Sequence, residues 1–366
     1  MKISIDKTNL ISALDTVSKA APVGRNLVQL LNGVLLEAKD RKLSLTRNNL
    51  DIALKRTIDC EVPEAGNAIV DAKFFSGIVR EMPDEEIDIV TSNSTMSLDV
   101  SEVHMEIPLM SVSAKEFPGL PLVFGETKFT MANLREMVEG VSFAVCDDDT
   151  RPVFKGILVT SKAGTLDMVA LDGHVMGLRR QRHEKAGIPD VGVIPMGTDL
   201  EAVAKLFDKD PVEITVGENK MSLSTPDAQA VIRTIHGEFI NYVRLIPAEF
   251  TATAKITIRE LQQAIDRSLL FVRTENGRPT GTLEMTVKND RMALSLRGDS
   301  GIFDEALKFE TDGEMRIDFN PMMLGTVLKH VDEKEALMKF TSPTGPCIIS
   351  PVEGDKFAYM VLPVRM

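Results

Sequence analysis

Hydrophobic and polar positions recur along this chain in blocks spaced by about a third of its length. Residues 73–90, 198–216 and 322–340 each read as an amphipathic helix, then an acidic turn, then an apolar strand. Ile78, Val203 and Val327 hold equivalent places in them, 125 and 124 residues apart. A second helical trio is marked by Leu10, Leu134 and Leu261, with steps of 124 and 127. A third trio is strand-like and opens on Gly33, Gly156 and Gly281, with steps of 123 and 125. Solenoid repeats run to about 20–50 residues, so this period predicts three tandem copies of a whole domain.

Within each copy the pattern predicts two helices of about 11 to 15 residues and a larger number of strands. The fold class is therefore α+β. Period-2 alternation over residues 42–54 and Thr95–Val100 predicts strands with one buried face, and 289–296 follows a turn signal in the same way. Asp6, Thr257 and the pair Asn320-Pro321 stand where helices should begin. Pro83 and Pro211 are expected at or just past helix ends. Residues 117–127 and 246–255 carry the Pro, Gly and small polar residues of linkers. They divide the chain into domains 1–123, 124–248 and 249–366. Each half of a repeat also resembles the other, a helix followed by several strands.

A length of 366 residues gives every repeat enough chain to bury its own core. With no Trp, two Tyr and 19 Met, those cores must be aliphatic. No run of 18 apolar residues exists, so no membrane-spanning helix is expected. The N-terminal residues contain an acidic group and no apolar segment, unlike a signal peptide. Cys60, Cys146 and Cys347 are too scattered for a disulfide framework, which fits a reducing cytoplasm. The net charge of −12 argues against a protein that grips duplex DNA by neutralising phosphates. It does not argue against one that encircles it.

Catalytic chemistry finds little support. His104, His174, His183, His236 and His330 show no metal-pair spacing, and no phosphate-loop, dinucleotide or nucleophile-elbow motif is present. The runs Asp147-Asp148-Asp149 and Asp84-Glu85-Glu86 lack the alternating spacing of a calcium loop and read as solvated turns. Cys146 lies beside three carboxylates, a setting unlike the electropositive one that activates a cysteine nucleophile. No catalytic residue, metal or cofactor is predicted. The sharpest local signal is Ala170-Leu171-Asp172-Gly173-His174-Val175-Met176. Asp-Gly favours a tight turn, so His174 caps either a plain hairpin or the rim of an apolar pocket for a partner peptide. The apolar ending, residues 358–366, is expected to pack as a strand, to line a groove, or to do both on alternate sides.

The threefold repeat, the phrase ALDGH at 170–174, GEFINYVRLIP at 237–247 and the ending AYMVLPVRM together resemble the bacterial DNA polymerase III beta subunit family, the replicative sliding clamps. The resemblance runs the length of the chain. It implies a clamp fold of three similar domains, each with two helices packed on antiparallel sheets. Two chains would close head to tail into a homodimeric ring around double-stranded DNA, helices inward. The replicative DNA polymerase and the clamp loader would bind through short linear peptides, with no cofactor and no membrane. The inner face would present Arg25, Lys73, Arg80, Arg135, Arg151, Lys205, Arg259, Arg267 and Lys329 to DNA. Arg259, Gln263 and Arg267 lie four apart and so share a helix face. Asp148 stands where the family commonly has a neutral residue. By the same resemblance, the peptide cleft would comprise Phe154, Leu171, Gly173, His174, Val175, Met176, Ile240, Arg244, Leu245, Asn320, Met323, Thr344, Pro346, Met360, Val361, Leu362, Pro363, Val364 and Arg365. Val175 replaces a basic residue there, and Met323 an aromatic one. Phe271 and Val272 would meet the partner subunit's edge strand near Met105 and Ile107. Two other readings stay open: a three-domain peptide-binding adaptor that never meets DNA, and an enzyme with a site between repeats, for which the triple-Asp run is the one candidate.

Overall fold

Every repeat is built from one unit used twice, a strand, a helix and three strands. The computed structural model describes residues 1–366 except 22–28, 126, 163, 183–189, 208–210, 276–277, 299–300 and 365–366. The first repeat runs β1 (Lys2–Asp6), α1 (Lys7–Ser18), β2 (Gly33–Lys39), β3 (Lys42–Asn48) and β4 (Ile52–Asp59). A short β5 (Glu61–Glu64) leads to β6 (Gly66–Asp71), α2 (Ala72–Glu81), β7 (Glu86–Thr91), β8 (Thr95–Val100) and β9 (Val103–Pro108). The second runs β10 (Thr127–Met131), α3 (Leu134–Ser142), β11 (Leu158–Lys162), β12 (Thr165–Leu171), β13 (Val175–Arg182), then β14 (Val191–Val193), α4 (Gly197–Ala204), β15 (Val212–Val216), β16 (Lys220–Ser224) and β17 (Ala228–Arg233). The third opens on β18 (Ala252–Thr257) and α5 (Ile258–Leu269), and inserts a hairpin of β19 (Arg273–Glu275) and β20 (Arg278–Thr280). It continues with β21 (Leu283–Lys288), β22 (Arg291–Gly298), β23 (Gly301–Lys308), β24 (Glu310–Asp312), β25 (Met315–Phe319), α6 (Pro321–Lys329), β26 (Glu335–Phe340), β27 (Cys347–Pro351) and β28 (Phe357–Val361).

The strands pair antiparallel, and the two largest sheets ignore the repeat boundaries. One has the order β10-β15-β16-β17-β4-β3-β2-β6, and the other β14-β11-β12-β13-β28-β27-β26-β18-β24. Smaller sheets are β5-β1-β7-β8-β9 and β23-β22-β21-β25. Packing therefore divides the chain into two compact units that cut through the central repeat. The first comprises Met1–Arg135 with Asp199–Thr234, and the second Glu136–Thr198 with Ile235–Met366.

The helix starts follow from short polar side chains that satisfy free N–H groups. An oxygen of Asp6 accepts from the Asn9 amide at 2.9 Å, and one of Asp71 accepts from Phe74 at 2.8 Å. Asn320 accepts from Met322 at 3.0 Å and Met323 at 3.3 Å, with Pro321 in the first helical position. Thr257 also precedes a helix, yet its side chain makes no capping bond. The helices are shorter than the periodicity suggests, 8 to 12 residues. α4 ends at Ala204, well before Pro211, so that proline is not its stop signal. Buried Lys7 donates to the Met82 carbonyl and, at 2.7 Å, to Asp84, tying the start of α1 to the chain leaving α2.

The 42–54 stretch is not one strand. Asn49 Oδ1 accepts from the amides of Asp51 at 3.0 Å and Ile52 at 2.7 Å, and Leu50 adopts φ 79°. That Asx-type turn separates β3 from β4. In the second unit α5 and α6 bury Leu261, Ile265, Leu324 and Leu328. Gly325 keeps the two close, since a Cβ there would lie 3.3 Å from Ile265. Against Gly140 of α3 and the end of α6, Arg179, 4% exposed, pairs with Asp332 at 3.1 Å and lies over the rings of Phe357 and Tyr359 at 5.4 and 5.7 Å. Buried Tyr359 donates to the His330 carbonyl at 3.1 Å, and burial pushes its phenol pKa up. Removing the α1 cap with Asp6→Ala should cost about 1 kcal/mol, read as a lower urea midpoint, while Asp6→Asn stays near the parent. Equal midpoints for all three chains would contradict the capping role.

Candidate nucleic-acid interface and apolar cleft

Five segments of the second unit converge on a pocket of about 660 Å³. They are the β12–β13 turn, the approach to β21, the start of α6, the loop at Thr344 and the residues after β28. The turn is tight because Gly173 takes φ 99°, a region that favours glycine. Asp172 Oδ1 holds it by accepting from His174 at 2.7 Å and Val175 at 2.8 Å. His174 is left exposed on the rim. The tail is pinned on both sides: Leu362 N–H donates to the His174 carbonyl at 2.9 Å, and Val364 N–H to that of Asp318 at 2.8 Å. Under the pocket lies an apolar cluster that includes Leu158, Leu171, Met176, Ile348 and Met360, with Phe154, Leu245 and Leu362 packed against it. Leu362 thus belongs to both pocket wall and cluster.

Of the residues expected at the cleft, Gly173, His174, Asn320, Met323, Thr344, Leu362, Pro363 and Val364 line this pocket. Phe154, Leu171, Met176, Leu245 and Met360 belong to the cluster below it. Val175 and Val361 depart from the expectation. They are register partners, both buried, and strand alternation turns them to the sheet face opposite the Met176–Met360 pair. Ile240, Arg244 and Pro346 fall in neither group, and Arg365 lies outside the described residues. Gly281 and Thr282 also line the pocket and escaped the sequence reading of the cleft. No local period marks them, because their neighbours in the wall are far away in the chain.

The expected DNA-facing cations differ in how they are held. Arg80 pairs with Asp15, Lys205 with Glu201 at 2.8 Å, and Arg267 reaches Glu305 through Nε at 2.9 Å and through Nη2. Lys73, Arg259 and Lys329 are exposed and form no ion pair with a described residue. Arg259, Gln263 and Arg267 are all exposed on α5, as their spacing requires. Arg135 lies near the start of α3. Arg151 sits beside the pocket, its Nη1 3.1 Å from where a Cβ on Gly173 would be. Arg25 is outside the described residues.

Two apolar patches accompany two sheet edges. In the first unit β9 ends its sheet, and Met105 shares a depression of about 590 Å³ with Phe74 and Ile78 of α2. Ile107 does not join them, because it points inward at 3% exposure. In the second unit β23 ends its sheet; half-buried Phe271 packs on Phe303 at 6.1 Å. Leu270 and Ile302 are largely exposed there. Ile78 was legible as a marker of the repeat, whereas nothing in the sequence singled out Phe74.

The triple-Asp run closes a turn. Asp148 accepts from the Thr150 amide at 2.9 Å and hydroxyl at 2.8 Å, which holds its carboxyl below the usual range, and Asp149 pairs with Lys155. Among the described residues no three His, Cys, Asp or Glu cluster as a metal site, and no helix is long and apolar enough to cross a membrane.

Three family models match in order along the chain: the DNA polymerase III beta subunit N-terminal domain over residues 1–121, the central domain over 128–241 and the C-terminal domain over 243–365. The beta sliding clamp of Synechococcus elongatus is 26% identical over 376 residues, spanning all of both chains. That of Staphylococcus aureus is 24% identical over 381 residues, spanning 100% of this chain and 99% of the other. The sliding clamp structure from Bacillus subtilis shares the fold at a TM-score of 0.92 and 23% identity, covering 100% of this chain and 99% of that one. With its three domains matched in sequence order and its α+β clamp architecture throughout, this chain belongs to the DNA polymerase III beta subunit family, the beta sliding clamps.

Proposed function

We propose that this non-catalytic sliding clamp works as a head-to-tail homodimer of six domains closed around duplex DNA in the cytoplasm, with domain boundaries near residues 123 and 248. The observation that carries the dimer is the pair of unlike edge patches. One is β9 with Met105, Phe74 and Ile78; the other is β23 with Phe271, Leu270 and Ile302. Surfaces that differ from each other meet heterologously, and such contacts form rings when the rotation closes. An open strand edge is a template for pairing with another chain, so β9 and β23 supply backbone partners while the apolar residues supply burial.

Encirclement reconciles the acidic chain with a nucleic-acid partner. A ring is retained by topology, so its inner surface needs only weak, sequence-independent attraction, and tight phosphate contacts would slow sliding. Exposed Lys73, Arg259 and Lys329 suit that role, while the carboxylate partners of Arg80, Lys205 and Arg267 moderate theirs. The polymerase and the clamp loader bind as extended peptides in the pocket around His174, Asn320, Met323 and Leu362, with Arg151 beside it. Its adaptable methionine and apolar floor suit several related peptides.

Three outcomes test this reading. Phe271→Glu should give monomers in sedimentation; an intact dimer would put the interface elsewhere. Leu362→Glu should weaken capture of a polymerase tail peptide by at least about tenfold, since burying an unpaired carboxylate costs well over 1.4 kcal/mol, with the dimer unchanged. Unaltered peptide affinity would dissociate the pocket from partner binding. Protein loaded on a nicked circle should be lost when the circle is linearised. Retention on the linear form would rule out encirclement, and a monomer that still binds peptide would favour a simple adaptor.

A further inference from the structure

A buried carboxylate lies on the same sheet face as the floor of the pocket. Along β12 and β13 the register pairs Leu171 with Met176, Val169 with Leu178 and Asp167 with Arg180, so these side chains share a face. The first four belong to the apolar cluster beneath the pocket. At Asp167, 5% exposed, the face turns polar. Its Oδ1 accepts from Arg180 Nε and its Oδ2 from Arg180 Nη2, both at 2.7 Å. That bidentate pair already matches the buried charge. Oδ2 nonetheless accepts a third bond, at 2.8 Å, from the hydroxyl of Tyr242. Arg180 also reaches Asp355 at 3.2 Å, and its N–H donates to the Lys356 carbonyl at 2.8 Å, at the entry to β28.

Tyr242 lies in a strap, residues 236–250, that runs from β17 to β18 without joining either large sheet. Backbone bonds tie its ends: Ile235 N–H donates to Ile194 at 2.7 Å, and Thr251 N–H to Phe340 at 2.8 Å. Between them, among the described residues, the Tyr242 hydroxyl makes the one hydrogen bond from the strap to the rest of the molecule. Apolar contacts supply the remainder. Phe239, Tyr242, Leu245 and Ile246 pack against the cluster, while Ile240 and Val243 stay exposed. Such contacts hold the strap down without fixing its register, because burial is non-directional. A phenylalanine at 242 would pack as well; the hydroxyl adds direction. Burial, and then the bond to Asp167, push the phenol pKa up, so it stays a donor at neutral pH.

We propose that Asp167 is a positioning residue for partner binding: through the Tyr242 hydroxyl it fixes the strap as a preformed flank of the peptide site. The inference rests on the peptide-binding reading of the pocket and adds to it a residue that touches no ligand. The network reaches both sides of the site. On one side is the strap, and on the other, through Arg180 and Asp355, the chain entering β28, whose exit carries Leu362 into the pocket wall. A flank that had to be ordered at each encounter would subtract that ordering from the affinity, and holding it in place beforehand avoids the loss.

The test uses the full chain and a fluorescent polymerase tail peptide. Tyr242→Phe, which keeps the ring and loses the bond, should weaken peptide binding roughly three- to tenfold with little change in melting temperature. Asp167→Asn keeps an acceptor for Tyr242 but gives up the ion pair with Arg180. It should therefore lower the melting temperature more than Tyr242→Phe does, and the affinity less. That crossing marks positioning, because a purely structural role would make affinity follow stability. The chain has only two tyrosines, so 3-fluorotyrosine labelling gives a readable fluorine NMR spectrum. The resonance missing from Tyr242→Phe should move when peptide saturates the parent protein. Parent affinity in Tyr242→Phe would overturn the assignment. So would affinities that track melting temperature across the variants, or a Tyr242 resonance that peptide leaves unmoved. Leu362→Glu separates this from the reading it rests on. Should it weaken capture while Tyr242→Phe binds like the parent, only the positioning role fails; should neither matter, the peptide site itself fails.

Discussion

Backbone pairing between strands distant in sequence is the constraint on which this molecule depends. A strand in the middle of a sheet must have both rows of N–H and C=O groups matched, and each half-repeat supplies too few strands to cover a helix pair alone. The chain solves this by joining half-repeats from different thirds. β4 pairs with β17 from Ile52↔Ile232 to Arg56↔Ala228, and β13 pairs with β28 from Val175↔Val361 to Arg179↔Phe357. Side chains lock both seams. Arg56 reaches Asp227 at 2.7 Å, and Arg180 bridges Asp167 at 2.7 Å and Asp355 at 3.2 Å. Sequence repeats and packing units therefore cannot coincide.

The same rule explains where the chain remains unfinished. Most sheet-terminal strands are short: β5 has four residues, β14 and β24 three each, β10 and β25 five. Short edges are a common protection against unwanted pairing. β23 breaks the pattern with eight residues and an exposed Ile302, and β9 sits beside the exposed Phe74. Pairing β9 of one subunit with β23 of another would extend between chains the device that β4–β17 and β13–β28 use within one. On that argument the proposed dimer is the continuation of the fold by its own rule.

Much of this was legible in the residues, for reasons that also mark the limit. Asp6 and Asn320 announced helix starts because capping is local, decided within three residues. The repeat was legible because the apolar positions of α2, α4 and α6 face equivalent cores. Residues 42–54 misled because period 2 holds on each side of the turn, at Leu43 and Leu45 and again at Leu50, Ile52 and Leu54, while the slip in phase between them and the Asn49 side chain mark the break. Val361 misled for the converse reason. Membership in the cleft was assigned by resemblance, whereas alternation along β28 decides which neighbours share a face. Gly281 was legible as a repeat marker, but the place of Gly281 and Thr282 in the cleft could not be read, since the wall they complete exists only once β21, α6 and the tail have come together.

That assembly also constrains how the proposed peptide site can work. β28 is at once a ladder partner of β13 and β27 and a source of the pocket: Tyr359 and Val361 face the helices, while Met360 faces the apolar cluster and Leu362 rises into the wall. A change that reshaped the floor would have to break main-chain bonds in the middle of a nine-stranded sheet. The floor is accordingly fixed, and adaptability must reside in rim groups such as His174 and Met323, which are not part of any ladder. Ligands of differing sequence would then share the anchor over Leu362 and Met360 and differ at the rim. A rigid apolar floor with a yielding edge is what a clamp serving several partners in turn requires, because a common anchor makes them compete for one place while rim contacts set their order.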